Sequence, residues 1–387
     1  MLRIALLSTL VVTCLTAPQD SQIQQQQVQA AAAAACDSTN CVLPNCKCSS
    51  TSPPEGIPIE QLPQFVFLTF DDAIQALNYE TYSALFYNRT NPDSCPVSAT
   101  FFMAHEYTDY SKVHDLYVHN QEIALHSISH EPLTDYWREI STDNLTLEFG
   151  GEKTIISKFA NIPAEAILGM RIPFLQLSGD NSFQVTKDIG LSYDCSWPTQ
   201  NFVKPGLWPY TLDYASNQDC PIGPCPKSSI PGVWVFPMID WRDQANVVCS
   251  MVDACVNIPD DVDGLTQWFI DNFNMQYQGN KAPFGFYVHA AYFNANPIHL
   301  DAYKKFVDYL QTLPDVYIVS IGKALQWIRH PVPIGSGEWP ACPQVEDLGC
   351  SVSACELAKG EETRYMTVCG DCPDVYPWIN NPTGEAL

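Results

Sequence analysis

Short apolar runs, each ending in polar or charged residues, recur along most of this chain. Eight of them lie at 65–72, 98–106, 122–130, 166–174, 190–197, 232–241, 284–293 and 316–325. Their length and their content of β-branched and aromatic residues predict buried strands. Helical patterns lie between several of them, for example around 265–273 and 300–310. Strands that alternate with helices predict an α/β fold, and about eight such strands are close to a (β/α) barrel.

The two ends of the chain differ in composition from this alternating segment. Residues 1–17 carry one Arg before an apolar run that is too short to cross a bilayer, which predicts a signal peptide. Residues 18–35 form a Gln- and Ala-rich low-complexity spacer, and residues 36–60 form a Cys-rich N-terminal cap. Residues 61–330 hold the alternating elements. Residues 331–387 lose the alternation and contain five Cys, which predicts a disulfide-stapled C-terminal extension.

The cysteines predict an oxidising compartment. Sixteen are present, and one of them lies in the predicted signal peptide. Clustered cysteines in a secreted chain form disulfides, and because 15 is odd, one thiol is free or pairs between chains. Cys369 and Cys372 also have zinc-ribbon spacing, but no second such pair accompanies them. Sequons at Asn88 and Asn144 predict glycosylation, which fits secretion.

The charge balance excludes several classes of partner. The 387 residues include 19 Lys and Arg against 43 Asp and Glu, a formal net charge of −24. This acidity argues against binding to nucleic acid or to an anionic membrane. No segment after the predicted signal peptide reaches the roughly 18 apolar residues of a membrane span. We therefore expect a soluble, secreted monomer.

The candidates for chemistry lie at the C-terminal ends of the apolar runs. This edge is the active face of parallel α/β folds. The polar or aromatic residues at these ends are Asp71, Asp72, His126, His130, Arg171, Asp240, Trp241 and His289. Each has a structural alternative when it is taken alone, but their joint order on successive strands favours a functional site.

Two histidines and an adjacent carboxylate pair suit a metal ion. His126 and His130 are four residues apart, which places them on one face if the segment is a helical turn. With one of the two carboxylates of Asp71 and Asp72 they give three ligands and leave room for water, as in a catalytic site. The other Asp can act as a base. The structural alternatives are two satisfied histidines and a helix N-cap that precedes an acid.

The four remaining positions are weaker candidates. Arg171 can hold the Asp that does not bind metal ionised, or it is a surface charge before a turn. Asp240 and Trp241 also fit a strand end with a core Trp. A lone His such as His289 in an apolar run is usually a satisfied core residue.

In this order the residues resemble the five motifs of the polysaccharide deacetylases, carbohydrate esterase family 4. The matching segments are 69–72 (TFDD), 126–130 (HSISH), 171–174 (RIPF), 240–241 (DW) and His289, and the resemblance spans about 65–330. The Cys-rich flanks and the ending VCGDCPDVYPWI resemble arthropod chitin deacetylases of the short, gut-associated type. The resemblance implies a distorted (β/α) barrel, the polysaccharide deacetylase fold.

The resemblance also implies a metal-dependent mechanism. Asp72, His126 and His130 would bind zinc, for which cobalt is a possible substitute. Asp71 would be the general base, and Arg171 would keep it charged and oriented.

A second group of roles concerns the leaving group and the sugar. His289 would protonate the departing amine, and Asp240 would keep His289 cationic and oriented. Phe174 would offer its backbone N–H to the oxyanion and, with Trp241, would wall the sugar pocket. Many members have Tyr where this chain has Phe174, a change that keeps the backbone donor.

The function implied by the resemblance is hydrolysis of the N-acetyl groups of chitin or its oligomers, which gives chitosan and acetate. Two alternatives stay open: an O-deacetylase of another acetylated polysaccharide, and a chitin-binding matrix protein with little turnover. A metalloprotease is disfavoured because HEXXH is absent. The expected location is extracellular, in the gut lumen or at the peritrophic matrix.

Overall fold

A nine-stranded sheet lies at the centre of the structure, a computed structural model that describes residues 32–336, 339–342 and 344–386. The strands in chain order are β1 Gln64–Asp71, β2 Thr100–Met103, β3 Glu122–Leu125, β4 Gly169–Met170, β5 Tyr193–Asp194, β6 Pro198–Thr199, β7 Tyr210–Leu212, β8 Ile230–Val235, β9 Met238–Ile239, β10 Trp241–Arg242, β11 Val248–Cys249, β12 Phe284–His289, β13 Val316–Ile318, β14 Val352–Lys359 and β15 Glu362–Cys369. Each of the eight apolar runs contains a strand of the central sheet.

The helices are α1 Ala76–Phe86, α2 Tyr110–Val118, α3 Thr134–Glu139, α4 Thr142–Leu145, α5 Gly151–Phe159, α6 Asp180–Asp188, α7 Val262–Tyr277, α8 Ala291–Ala295, α9 Pro297–Leu310 and α10 Ile321–Arg329. The two helical patterns read from the sequence correspond to α7 and α9. A π-helical turn at Thr146–Gly150 joins α4 to α5. Short 3₁₀ turns lie at Pro173–Leu175 and Val252–Ala254.

The sheet is a curled, incomplete barrel. Its strand order is β12-β1-β2-β3-β4-β5-β8-β7, and β13 pairs with the start of β1. All these pairs are parallel except β7 with β8. The order ends at β12 on one side and at β7 on the other, so the predicted barrel is open. The predicted α/β class is confirmed.

Strand β1 explains why the apolar runs are continuous rather than alternating. All eight of its residues are buried, as expected for a parallel strand covered on both faces. Its successive side chains enter two different core clusters. Val66, Leu68 and Phe70 pack in one cluster, and Phe65 and Phe67 pack in the other. The polar end of β1 therefore projects at the edge of a rigid, doubly packed strand.

Seven disulfides join cysteines of the described residues. The pairs are Cys36–Cys48, Cys41–Cys46, Cys95–Cys342, Cys220–Cys225, Cys249–Cys255, Cys350–Cys369 and Cys355–Cys372. The zinc-ribbon alternative for the Cys369 and Cys372 pair is wrong, because each forms a disulfide with another cysteine. Within the described ranges, Cys195 alone is unpaired, and it is buried, so the odd thiol is free.

Both extensions belong to the same compact unit as the sheet. Backbone hydrogen bonds join the N-terminal cap to the segment around β7, with N···O distances of 3.1 Å from Trp208 to Ser50 and 2.9 Å from Thr211 to Lys47. The C-terminal extension forms the β14–β15 hairpin, which the sequence interpretation missed. The predicted signal peptide and most of the spacer lie outside the described residues, and the boundaries at residues 60 and 330 stay predictions. None of the described helices has the length and apolarity to cross a membrane.

Candidate active site

The C-terminal ends of four strands bring most of the predicted site residues together. The register of β1 against β12 places Asp71 opposite His289. The register of β3 against β4 pairs Leu125 with Met170, so His126 and Arg171 leave the sheet side by side. Parallel strands expose their carboxyl ends at a single edge, which is where these side chains meet.

Asp72, His126 and His130 form a cluster with ligand spacing. One carboxylate oxygen and one imidazole nitrogen from each His lie within 4.8 Å of one another. Oδ1 of Asp72 is 3.4 Å from Nε2 of His130 and 3.9 Å from Nε2 of His126. The Asp72 side chain is 49% exposed, so the cluster opens to solvent. Two imidazoles and one carboxylate that leave an open side fit a divalent transition metal at a catalytic site.

His126 is held in the state that binds a metal. Its Nδ1–H donates to the backbone oxygen of Arg171 at 2.8 Å, which directs the Nε2 lone pair into the cluster. Burial, followed by the nearby His130, lowers the pKa of His126 to about 3. The imidazole is therefore neutral at neutral pH, as a metal ligand must be.

The segment between the two histidines is an irregular loop, which corrects the expectation of a helical turn. Ser127 has φ of 86° and His130 has φ of 42°, and Asp72 across the cluster has φ of 79°. Non-glycine residues seldom adopt positive φ, and such backbone persists only where its surroundings enforce it. All three ligands therefore depend on the structure around them rather than on helical spacing.

Two buried glutamates supply that support. One carboxylate oxygen of Glu152 accepts hydrogen bonds from the N–H groups of His126 at 2.9 Å and Ser127 at 2.6 Å. Glu148 accepts from the N–H of Ser129 at 3.0 Å and from its hydroxyl at 2.6 Å. Both side chains are completely buried, and the π-helical turn and α5 carry them under the loop. The sequence interpretation missed both glutamates.

Asp71 is buried and pinned by Arg171. Nη1 of Arg171 lies 2.5 Å from one oxygen of Asp71, and the other oxygen is 4.0 Å from Nε2 of His126. Arg171 also donates to the Thr69 hydroxyl and to the backbone oxygen of Cys195. Burial opposes the charge of Arg171, but the Asp71 carboxylate more than offsets it and raises the pKa of the guanidinium. One oxygen of Asp71 is thus left free to face the metal-ligand cluster.

His289 pairs with Asp253, not with Asp240. The Nδ1–H of His289 donates to Asp253 Oδ2 at 2.7 Å, and the His289 backbone N–H donates to the same oxygen at 3.0 Å. Burial lowers the pKa of His289, but the hydrogen bond to Asp253 and the charge of Asp71 outweigh it and raise this pKa to about 9. His289 is therefore protonated at neutral pH.

The position of Asp240 explains why the predicted pairing is wrong. Asp240 is 2% exposed, and neither of its carboxylate oxygens has a hydrogen-bond partner among the described residues. Burial raises its pKa to about 7, an effect that Ser250 partly offsets. Asp253 instead lies in the 3₁₀ turn that the Cys249–Cys255 disulfide brackets. An acid inside a short Cys-bracketed loop is the sequence signal that could have identified it.

The two predicted walls of the sugar pocket have different environments. Trp241 is 1% exposed, donates from Nε1 to the backbone oxygen of Gly285 at 2.8 Å, and packs among aromatic rings of the core. It cannot contact a ligand at the surface, so that prediction is wrong. Phe174 is 45% exposed, and its ring centroid lies 5.3 Å from that of His130. Its φ of 59° turns the backbone beside the cluster.

Comparison with known proteins identifies the family. No family model matches this chain. Chitin deacetylase 8 of Bombyx mori is 47% identical over 355 residues, which cover 90% of this chain and 93% of that protein. The chain belongs to the chitin deacetylase family. Chitin deacetylase 1 of Bombyx mori is 36% identical over 372 residues, 90% of this chain and 68% of that protein.

The solved structures are less similar to this chain than the two Bombyx mori proteins are. A putative polysaccharide deacetylase from Mycobacterium smegmatis matches with a TM-score of 0.46 and 15% identity, over 73% of this chain and 95% of that one. The Xyl-CE4 domain of a multidomain xylanase from the hindgut metagenome of Trinervitermes trinervoides matches with a TM-score of 0.38 and 13% identity, over 68% of this chain and 90% of that one. Family membership follows from the two Bombyx mori relatives, and it confirms the resemblance seen in the motifs.

Proposed function

We propose that this chain is a zinc-dependent chitin deacetylase that hydrolyses the N-acetyl groups of chitin or its oligomers. The observation that carries the proposal is the cluster of Asp72, His126 and His130, whose ligand atoms lie within 4.8 Å beside the pinned carboxylate of Asp71. Water adds to the acetamide carbonyl, the C–N bond breaks, and the products are acetate and the free amine of glucosamine.

The metal ligands of the proposed site are Asp72, His126 and His130. A bound zinc ion supplies Lewis-acid chemistry there, since it lowers the pKa of a water ligand and polarises a carbonyl oxygen. The donor set also accepts cobalt. The exposed side of Asp72 leaves this chemistry accessible to a polymeric substrate.

Asp71 is the proposed general base. Arg171 binds one of its oxygens, and the second oxygen, on the side of His126, is free to take a proton from the attacking water. Arg171 is itself held by Thr69 and Cys195, so the guanidinium that binds Asp71 is fixed in place. This arrangement keeps the base aimed, because the fixed guanidinium holds one carboxylate oxygen by a charge-assisted hydrogen bond.

His289 is the proposed general acid. Its Nδ1–H is bound to Asp253, so Nε2–H is the proton available to the departing amine. Asp253 acts as a positioning residue that keeps the ring cationic. Asp71 and His289 lie opposite each other in the β1–β12 register, so the base and the acid approach the scissile bond from neighbouring strands.

Phe174 is proposed to bind the substrate at the edge of the cluster. Its exposed ring offers an apolar face to a sugar. Within the described residues its backbone N–H makes no hydrogen bond, so it can donate to the oxyanion of the tetrahedral intermediate.

The chain is proposed to act outside the cell. Seven disulfides fit an oxidising compartment, and the sequons at Asn88 and Asn144 lie on exposed side chains where glycans can attach. The predicted signal peptide, a monomeric state and a location in the gut lumen or at the peritrophic matrix belong to the same proposal.

Acetate release from purified protein tests the proposal. Wild type, chelator-stripped protein, and stripped protein with zinc restored are assayed on chitin oligomers and, in parallel, on acetylated xylan. We expect acetate from the chitin oligomers, its loss on stripping, and its recovery with zinc. Release from xylan alone would replace N-deacetylation with O-deacetylation. Binding of chitin with no release from any substrate would favour a matrix protein.

A further inference from the structure

Exposed aromatic side chains are rare in this protein. The chain has 18 Phe, 18 Tyr and 9 Trp, yet within the described residues only Tyr107, Phe174 and Tyr365 are exposed. Phe174 lies beside the cluster of Asp72, His126 and His130 described above. Tyr107 and Tyr365, which are 64% and 73% exposed, line one groove of about 350 Å³ between the β2–α2 loop and the C-terminal hairpin. Exposed large apolar side chains gathered at one place mark an interaction surface.

The hairpin presents Tyr365 on a flat, open face. The antiparallel register places Glu356 opposite Tyr365, and the pairs on either side are Ala354 with Thr367 and Ala358 with Thr363. Ala354, Ala358 and the two Thr are small, which is consistent with the 73% exposure of Tyr365. The side chains of the other hairpin face, including Leu357, Met366 and Val368, are buried.

The β14–β15 hairpin is held rigidly in place. The disulfides Cys350–Cys369 and Cys355–Cys372 tie the hairpin to its flanking chain. Glu106 in the β2–α2 loop forms ion pairs with Lys359 at 2.8 Å and Arg364 at 3.4 Å. A parallel bridge joins Asp109 of the same loop to Thr367. A ligand that binds here therefore loses little affinity to ordering of the protein.

The loop that carries Tyr107 is hydrogen-bonded to the loop that carries the histidine ligands. The backbone N–H of His105 donates to the oxygen of Ser127, inside the loop that carries both histidine ligands. Tyr107 is two residues further along, which is at most about 7 Å of extended chain. The backbone of Tyr107 therefore lies near the loop of the histidine ligands, within the span of a polymeric substrate.

We propose that Tyr107 and Tyr365 bind N-acetylglucosamine units of the chitin chain at a distance from the acetamide that is hydrolysed. The proposal rests on the proposed function and adds a binding subsite to it. Pyranose rings present apolar C–H faces that stack on exposed aromatic rings, and their hydroxyl and amide groups can donate to the nearby Glu356 carboxylate. Chitin is uncharged and is not repelled by a chain of net charge −24, whereas a second copy of this chain would be.

Substrate length separates this subsite from the active site. Tyr107→Ala and Tyr365→Ala are compared with wild type on a chitin hexamer and on the shortest oligomer that wild type deacetylates. We expect KM for the hexamer to rise about 3- to 10-fold for each variant, while kinetics on the shortest oligomer are unchanged. Val352→Ala is the control, because Val352 is 61% exposed on the same hairpin and lies outside the groove; it should leave both substrates unaffected.

Two outcomes would overturn the subsite and leave the proposed function standing. The first is an unchanged hexamer KM in both variants while wild type releases acetate. The second is a change in sedimentation with Tyr365→Ala, which would make the face a contact between copies of this chain. If wild type releases no acetate, the proposed function fails, and calorimetric titration of the hexamer still decides the subsite: it requires weaker binding by both Tyr variants than by wild type.

Discussion

The two ends of strand β3 show opposite ways of using polar residues. Glu122 at the start of the strand is 8% exposed, and its carboxylate accepts hydrogen bonds from the Gly322 N–H at 2.9 Å and from the hydroxyls of Thr100 and Tyr193 at 3.0 Å each. These contacts tie β3 to its neighbours and to the first turn of α10. At this end the polar atoms of Glu122 are turned towards partners within the protein.

At the other end of β3, the loop leaves potential metal-ligand atoms without hydrogen-bond partners among the described residues. His126 and His130 turn imidazole nitrogens towards Asp72, and Ser127 and His130 in this loop have positive φ, as does Asp72 across the cluster. Unsatisfied polar atoms and strained backbone lower stability, so they persist where a ligand uses them. In this strand, the polar residue at the N-terminal end stabilises the fold, and those after the C-terminal end belong to the candidate active site, as in other parallel α/β folds.

The largest expected effects come from substituting two adjacent carboxylates, Asp71 and Asp72, at the active-site edge of the sheet. Asp72→Asn should weaken zinc affinity at least 100-fold and reduce acetate release about 1000-fold, because a ligand is lost. Asn tolerates the positive φ of this position, so folding is preserved. Asp71→Asn should abolish activity to a similar extent yet retain zinc. Equilibrium zinc competition with a chelator, read beside acetate release, checks both; equal zinc affinity in the two variants would contradict the roles.

Substitutions of Glu152 and Glu122 compare the two ends of β3 directly. Glu152→Gln weakens the acceptor for the N–H groups of His126 and Ser127, and we expect zinc affinity to fall about 10- to 100-fold. Glu122→Gln is the matched control, since it makes the same substitution at another buried, hydrogen-bonded glutamate at the far end of β3. It should lower the melting temperature and leave zinc affinity unchanged. A loss of zinc affinity in both variants would show a general structural effect.

The pH dependence of activity tests whether Asp253 or Asp240 is the carboxylate partner of His289. The pKa of His289 is raised to about 9, so the protonated acid is present below this pH and is lost as pH rises through it. Asp253→Asn removes the main stabilising contact of the cation, and the alkaline limb of kcat/KM should move down by about one pH unit or more. Bound zinc shifts both profiles in the same sense, so the difference between them is the readout. Asp240→Asn should leave the limb in place, and a larger shift from Asp240 would restore the pairing read from the sequence.

Substitutions of Phe174 and Trp241 should have the smallest effects on catalysis. Phe174→Ala should raise KM for chitin oligomers a few-fold without lowering the melting temperature, because the ring is exposed. Trp241→Phe should leave KM unchanged and lower the free energy of unfolding by about 1–3 kcal/mol, since it removes a buried hydrogen bond and volume. Steady-state kinetics and thermal denaturation measure the two effects. A higher KM for Trp241→Phe would place the indole at the substrate after all.

The sequence predicted well what local patterns determine. The eight strands followed from runs of apolar residues, and Asp71, Asp72 and His126 were identified because parallel strands expose their ends at one edge. The chain pattern also predicted disulfides and one odd thiol, although only the structure assigns it to Cys195.

The errors have a common physical origin in tertiary contacts. Asp240 lies at the end of a strand as expected, but the fold buries it and brings Asp253 to His289 from a disulfide-bracketed loop. Glu148 and Glu152 lie on a helical segment and bind mainly backbone N–H groups of the histidine loop, so no pattern of side chains in the sequence predicts their role. Trp241 is adjacent to Asp240 in the same motif, yet its indole points into the core.

The most direct test of the account is a zinc titration of chelator-stripped protein that follows acetate release from a chitin oligomer. We expect activity to rise with zinc and to saturate at one zinc per chain, with His126→Ala binding no zinc in the same range and remaining inactive. Full activity in the stripped protein, or equal zinc uptake by wild type and His126→Ala, would contradict the assignment of the metal centre.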